Sequence, residues 1–280
     1  MTGRRIVITG GSMGIGAAVA HALAERGARV VLIARGADAL ESTLASLPGE
    51  DHLAHQLDVT DEAGWQRVVA DLGELHGLVC AAAVLDPVGP VGSYEPASFR
   101  RTLDVNVFGT LLAVHHCLPA LRAGGGAIVT FSGGGGTGPL PRFDAYAASK
   151  AAIVRLTENL ATELAADGVP VNGVAPGFVA TRMHDATLAA GPDAAGTDYY
   201  DRTQRELADG GAPVSAAAEL VRLLLGDPEP VPFTGRLISA QWDPWRDAAY
   251  RDRLRAVPDL ATLRRIDGVF YAPVPEGQRA

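Results

Sequence analysis

Short apolar, β-branched runs alternate along this chain with stretches whose apolar residues recur every three or four positions. The runs at Arg5–Thr9, Arg29–Ala34, Leu53–Gln56, Gly77–Ala81, Gly126–Phe131, Pro170–Ala175 and Arg236–Ala240 predict strands. Helical periodicity predicts helices over 15–26, 37–46, 61–72, 97–122, 146–166 and 215–225. The strand runs are almost continuously apolar, which suits strands covered on both faces of a parallel sheet. The predicted class is α/β, a doubly wound sheet with ligands at the carboxyl ends of its strands.

Two regions leave this rhythm. Residues 182–214 are polar, contain glycine and lack a strong period. Residues 241–280 hold Trp242-Asp-Pro-Trp245, a charged helical pattern over 246–256, a second over 259–266, and a proline-rich end. The two tryptophans suit core anchors or residues closing a site or interface. The expected organisation is one domain over 1–240 with a C-terminal extension over 241–280.

Bulk properties narrow the partners. A chain of 280 residues suffices for one large α/β domain. Its net charge of −8 disfavours nucleic acid or an anionic membrane as the main partner. Cys80 and Cys117 sit in apolar runs and suit buried free thiols rather than a disulfide framework. No apolar run approaches the roughly 18 residues of a membrane span. The first strand begins too early for a signal peptide. A cytoplasmic protein is expected.

The chemistry concentrates in two places. Gly10-Gly-Ser-Met-Gly14-Ile-Gly16 lies between a predicted strand and a predicted helix. In that context glycines permit a tight turn and let backbone amides at a helix N-terminus approach a pyrophosphate. Tyr146 and Lys150 are four residues apart in a predicted helix, hence on one face. An ammonium beside a phenol favours the phenolate and moves its pKa from about 10 toward working pH. His115 and His116 fall within a helical run without carboxylate or cysteine at ligand spacing, so no metal site is expected.

The segments Thr9–Gly16, Asp58-Val59, Asp104-Val-Asn106-Val-Phe-Gly109, Tyr146-x-x-x-Lys150 and Pro176-Gly-Phe-Val-Ala-Thr181 resemble, in order and spacing, the short-chain dehydrogenase/reductase family. The resemblance covers about residues 4–240. It implies a Rossmann-type fold, a substrate lid near 182–214, and a small-molecule carbonyl or alcohol substrate. It further implies a homodimer or homotetramer formed through helices 97–122 and 146–166. Gly10, Ser12, Met13, Gly14 and Ile15 would line pyrophosphate and ribose. Asp58 would accept from the adenine amino group, unless it is simply a loop carboxylate, and Val59 would lie against the ring. Ala81 and Ala82 would offer backbone contacts to the cofactor. Pro176, Gly177, Val179 and Thr181 would hold the nicotinamide amide. Tyr146 would exchange the proton, Lys150 would lower its pKa and bind the nicotinamide ribose, and Asn106 would hold a connecting water or cap a helix bend.

Three departures from the family pattern matter. Ala34-Arg35 ends the second strand where an NAD enzyme usually places an acid. The Arg35 guanidinium suits a 2′-phosphate, so NADP(H) is favoured over NAD(H), with Asp38 the alternative anchor for NAD. Cys80-Ala-Ala-Ala83 stands where the family has Asn-Asn-Ala-Gly, which removes a side-chain brace. The family's substrate-orienting serine falls at Gly133. Ser132 precedes it and would point away from a regular strand, unless the glycine run over 133–136 bulges it back to touch substrate. The expected function is ketone–alcohol interconversion by hydride transfer. A cofactor-retaining epimerase and a catalytically silent dinucleotide sensor are the alternatives.

Overall fold

The structure, a computed structural model, describes residues 1–264. Seven parallel strands form one sheet in the order β3-β2-β1-β4-β5-β6-β7. They are β1 (Arg5–Thr9), β2 (Arg29–Ala34), β3 (Leu53–Gln56), β4 (Gly77–Cys80), β5 (Ala127–Phe131), β6 (Val171–Ala175) and β7 (Leu237–Ser239). The order reverses between β1 and β4, which opens a crevice at their carboxyl ends.

Side-chain alternation divides the sheet into two apolar layers. Ile6, Ile8, Val30, Leu32, Val79 and Val129 face helices α1 (Gly14–Ala24) and α9 (Val214–Leu224). Val7, Val31, Ile33, Leu78, Cys80 and Ile128 face the opposite layer. That layer holds α3 (Glu62–Val69), α5 (Gly109–Gly124) and α6 (Asp144–Glu163). This two-sided burial is why the strand runs are continuously apolar. Both cysteines are free and buried, and burial pushes both thiols up, Cys117 to about 12.

Helix α2 (Ala37–Ser46) follows β2. The single helix expected over 97–122 is divided. Helix α4 (Pro96–Leu103) passes through a π-helical turn, Asp104–Phe108, into α5. The wider turn admits one extra residue and places Asn106 inward, 2 % exposed.

The aperiodic region 182–214 also differs from expectation. A short 3₁₀ turn, Arg182–His184, leads into α7 (Asp185–Ala195) and α8 (Thr197–Ala208). Gly191, at φ +76°, and Pro192 break α7 internally, which erased a helical period from the sequence. Arg142 holds the far end of α7 by donating to the Asp193 and Ala194 carbonyls at 2.6 and 3.1 Å. A bridge between Val179 and Gly211 holds the end beyond α8.

After β7 the chain folds back on the sheet. Trp245 is buried in the α1–α9 layer and donates its indole N–H to the Ala240 carbonyl at 3.0 Å. The Arg246 guanidinium lies 3.9 Å from its ring centroid. Helix α10 (Ala248–Ala256) begins at Asp247, whose carboxylate caps the Ala249 amide. The expected second helix is a turn over its described part, 259–264. Ala261 takes a positive φ of 57° there, and its carbonyl accepts from the Leu237 amide at 2.8 Å. The rest of that pattern and the proline-rich end lie outside the described residues.

Candidate active site

The carboxyl ends of β4, β5, β6 and β7 meet residues of the 182–214 region and α8 around a cavity of about 390 Å³. Ile15, Ala81, Ser132, Tyr146, Lys150, Pro176, Gly177, Val179 and Thr181 all line it. The sequence-derived site residues that line the crevice are thus brought together, apart from those described below.

The glycine loop has the shape a dinucleotide needs. Gly10 has φ +68°, and a Cβ there would lie 2.8 Å from the Ala82 amide nitrogen. A Cβ at Gly16 would overlap the Gly10 carbonyl. Gly14, at φ +56°, approaches Thr181 and so connects this loop to the cavity. Met13 precedes α1 without capping it by a side chain, and the first turn holds no acid. Its free amides and positive helix end fit a pyrophosphate. Ser12 uses its carbonyl to accept from Thr43 Oγ1 at 3.0 Å.

Arg35, Asp58 and Val59 lie outside the cavity, past the glycine loop. Arg35 and Asp58 are 3.9 Å apart and both partly exposed. Burial raises the Asp58 carboxyl, but the Thr60 amide and hydroxyl and the Arg35 guanidinium outweigh it and leave the pKa lowered. Val59 is fixed through its carbonyl, which accepts from the Trp65 indole at 3.0 Å.

The missing asparagines after β4 are replaced by braces from elsewhere. Thr9 Oγ1 accepts from the Ala82 amide at 3.2 Å. Asn106 Nδ2 donates to the Val84 carbonyl and its Oδ1 accepts from the Val84 amide, at 2.9 and 2.8 Å. Nδ2 also donates to Ser149 Oγ at 2.9 Å, and Ser149 donates to the Tyr146 carbonyl at 2.7 Å. Both Nδ2 hydrogens and one Oδ1 lone pair of Asn106 are taken by this bracing, which joins the segment after β4 to α6 rather than capping a helix bend.

Tyr146 and Lys150 lie one helical turn apart, with Nζ 5.4 Å from the phenol ring centroid. Lys150 Nζ donates to the Phe131 carbonyl at 3.0 Å. Burial draws its pKa down to about 8. The phenol does not follow expectation. Desolvation, with the neighbouring Tyr199 phenol, raises the Tyr146 pKa above its ordinary value instead of lowering it. A cation spent on Phe131 and itself poorly solvated does not overcome that burial.

Ser132 is also corrected. Its buried hydroxyl donates to the Lys150 carbonyl at 3.1 Å, although the residue lines the same cavity as Tyr146. The strand stays regular through Phe131, so Gly133 takes the facing position. A Cβ there would have Tyr146 Oη as its one heavy-atom neighbour within 4 Å, at 3.1 Å.

The match to known proteins agrees with this geometry. Residues 4–190 match the family model described as short chain dehydrogenase. The chain belongs to the short-chain dehydrogenase/reductase family. It is therefore an NAD(P)-dependent oxidoreductase acting on small molecules. It is 39% identical over 187 residues to a cis-4-hydroxycyclohexanecarboxylate dehydrogenase of Sinomonas cyclohexanicum, covering 64% of this chain and 75% of that one. An actinorhodin polyketide ketoreductase solved with NADPH superposes with TM-score 0.76 at 27% identity, covering 85% and 97% of the two chains. An NAD+-bound xylitol dehydrogenase superposes with TM-score 0.76 at 25% identity and the same coverage.

Further residues line the cavity, Tyr199 and Arg202 among them lying in the polar stretch 182–214 that the sequence marks as a lid. From α8 come Tyr199, Arg202, Thr203 and Glu206, joined by Phe178, Met183 and Gln241. The α8 set has the spacing i, i+3, i+4, i+7 of one helix face, a signal present in the sequence. His184 stacks on Phe178 at 3.9 Å, and its Nε2–H donates to the Val179 carbonyl at 3.2 Å. Burial lowers its pKa, against the Val179 hydrogen bond and the nearby Asp185 and Glu206. Trp242 is 82 % exposed at the cavity mouth. A further signal is compositional: Lys150 is the chain's sole lysine, all its other basic side chains apart from histidine being arginine. Among the described residues no cluster has metal-ligand composition, and no helix is long and apolar enough to cross a membrane.

Proposed function

We propose that this protein is an NADP(H)-dependent oxidoreductase that interconverts a ketone and a secondary alcohol. The observation that carries the reading is the Tyr146 hydroxyl at a cavity wall beside a buried lysine whose pKa is about 8. The glycine loop and the α1 N-terminus would hold the dinucleotide's phosphates, with Pro176, Gly177, Val179 and Thr181 along the nicotinamide. The bound nicotinamide supplies or accepts hydride.

The protein's own part is proton control and positioning. Tyr146 Oη gives a proton to the carbonyl oxygen or takes it from the alcohol. Lys150, ionising near pH 8, can change charge at working pH and so offset charge at the phenol. Asn106 and Ser149 hold the segment after β4 against α6, which keeps the phenol in register with the cofactor pocket. Ser132 fixes the Lys150 backbone rather than the substrate.

The NADP(H) preference rests on Arg35, which closes β2 where Ala34 leaves no acid. The open face at Gly133 and the polar α8 wall favour a bulky, hydroxyl-bearing substrate such as a cyclic hydroxyketone or polyol. The test is turnover with NADPH and NADH over cyclic ketones and polyols, in wild type and Tyr146→Phe. The expected result is a loss of about 10²–10⁴-fold with cofactor binding intact. Normal cofactor binding with no turnover on any probe would point instead to a dinucleotide sensor.

A further inference from the structure

We infer that the Tyr199 hydroxyl donates the second hydrogen bond to the substrate's reacting oxygen, the bond for which residue 133 offers no side chain. This rests on the oxidoreductase reading. A carbonyl becoming an alkoxide needs stabilisation by preorganised donors, and one proton donor leaves half of that arrangement empty. Gly133 faces the Tyr146 hydroxyl and carries nothing. The neighbouring hydroxyl, on Ser132, is committed to the Lys150 carbonyl.

Most other donors at the cavity wall are also committed. Thr203 Oγ1 bonds the Tyr199 carbonyl at 2.8 Å, and His184 Nε2 bonds Val179. Arg202, whose side chain is largely exposed, turns only its Nε toward Glu206 at 3.5 Å. Thr181 and Gln241 lie against Gly14 and Gly177, on the glycine-loop side. The Tyr199 hydroxyl has no protein partner among the described residues, and the residue lines the same cavity as Tyr146. Both phenols pack on one cluster around Phe143, which is fully buried and three residues before Tyr146. The Tyr199 ring lies 4.5 Å from the Phe143 ring, centroid to centroid. One aromatic cluster thus contacts both phenol-bearing side chains. The phenols are close enough for each to sense the other's charge, since Tyr199 contributes to raising Tyr146.

The chemistry balances without ionising Tyr199. In reduction the carbonyl carbon receives hydride and the oxygen receives the Tyr146 proton, while Tyr199 keeps its own proton and donates a hydrogen bond. The arrangement also ties reaction to the lid, because Tyr199 belongs to α8 and Tyr146 to α6.

The experiment is a double-mutant cycle of Tyr199→Phe and Gly133→Ser, with steady-state kinetics on cyclohexanone and on cis-4-hydroxycyclohexanecarboxylate, each with the matching cofactor. Circular dichroism and nicotinamide fluorescence verify fold and cofactor binding for each variant. Tyr199→Phe is expected to lower kcat by about 10²–10³-fold with KM changed by less than about threefold. Adding Gly133→Ser is expected to recover at least about tenfold more in the Tyr199→Phe background than in wild type. A wild-type kcat in Tyr199→Phe, a loss confined to KM, or a folded double variant without recovery would each overturn the inference while leaving the oxidoreductase reading in place. No turnover of either probe by wild type would overturn the proposed ketone–alcohol reading and this inference with it.

Discussion

Asn106 grips both polar groups of the Val84 backbone, accepting from its amide at 2.8 Å and donating to its carbonyl at 2.9 Å. A side-chain amide that mimics a strand partner in this way holds the chain just past the carboxyl end of β4, where Cys80-Ala-Ala-Ala83 offers no side-chain amide of its own. Asn106→Ala leaves a backbone amide and a carbonyl in that crevice without protein partners. The expected cost is about 2–4 kcal/mol of folding stability, read as a lower urea midpoint at unchanged slope. A loss below about 0.5 kcal/mol would mean that water replaces the grip.

Burial gives Lys150 a distinctive pH signature. Its pKa falls from 10.5 to about 8, so the folded protein binds its proton less tightly than the unfolded chain. Stability contributed by such a group rises as pH climbs between those two values. Lys150→Met removes the titration, while the cysteine contributions are common to both proteins and cancel. Wild type is expected to gain up to about 3 kcal/mol relative to the variant between pH 8 and 10.5. Urea unfolding at both pH values measures this. Because the chain has one lysine, ¹³Cε-lysine labelling gives one resonance whose titration reads the same pKa directly.

At the far end of the proposed cofactor site, the Arg35 reading can be tested directly. Arg35→Ala is expected to weaken NADPH binding about tenfold or more while leaving NADH unchanged, since a guanidinium–phosphate pair is charge-assisted and the 2′-hydroxyl lacks that charge. Nicotinamide fluorescence titration separates the two. Equal NADH and NADPH affinity in wild type would remove the NADP(H) preference.

The glycine loop tolerates little. Gly10→Ala combines a φ of +68° with a Cβ 2.8 Å from the Ala82 amide nitrogen. Backbone strain of this kind costs about 1–3 kcal/mol. Cofactor affinity is expected to fall more than stability does if, as proposed, the displaced segment holds the pyrophosphate. Calorimetry with and without NADPH distinguishes the two losses.

The sheet was legible because two-sided burial demands continuous apolar runs, and such runs have sharp ends: β1, β2 and β3 begin and end where the pattern does. The Tyr146–Lys150 pair was legible because four residues fix one helical face. Its electrostatics were not, because the pKa of a phenol depends on how deeply the fold buries it and on Tyr199, more than fifty positions away. Ser132 illustrates the limit of local pattern. Strand alternation implied that its hydroxyl points away, and the partner it finds, the Lys150 carbonyl, comes from another element. Helices α7 and α8 were hidden by Gly191-Pro192 and by the strongly polar sequence of α8, whose apolar contacts come chiefly from Tyr199 and Tyr200.

The return of the chain after β7 has a consequence for behaviour at high concentration. Leu237 and Ser239 are alternate residues of the last strand, and their amides are taken by Ala261 and by the Asp243 carboxylate. Arg236 reaches the Pro258 and Leu260 carbonyls and fastens the same segment beside the strand. A sheet margin occupied by its own chain offers no template for a stray strand, so residues 241–264 act as a guard against intermolecular β-pairing. Trimming them would turn a quiet margin into a nucleus for aggregation.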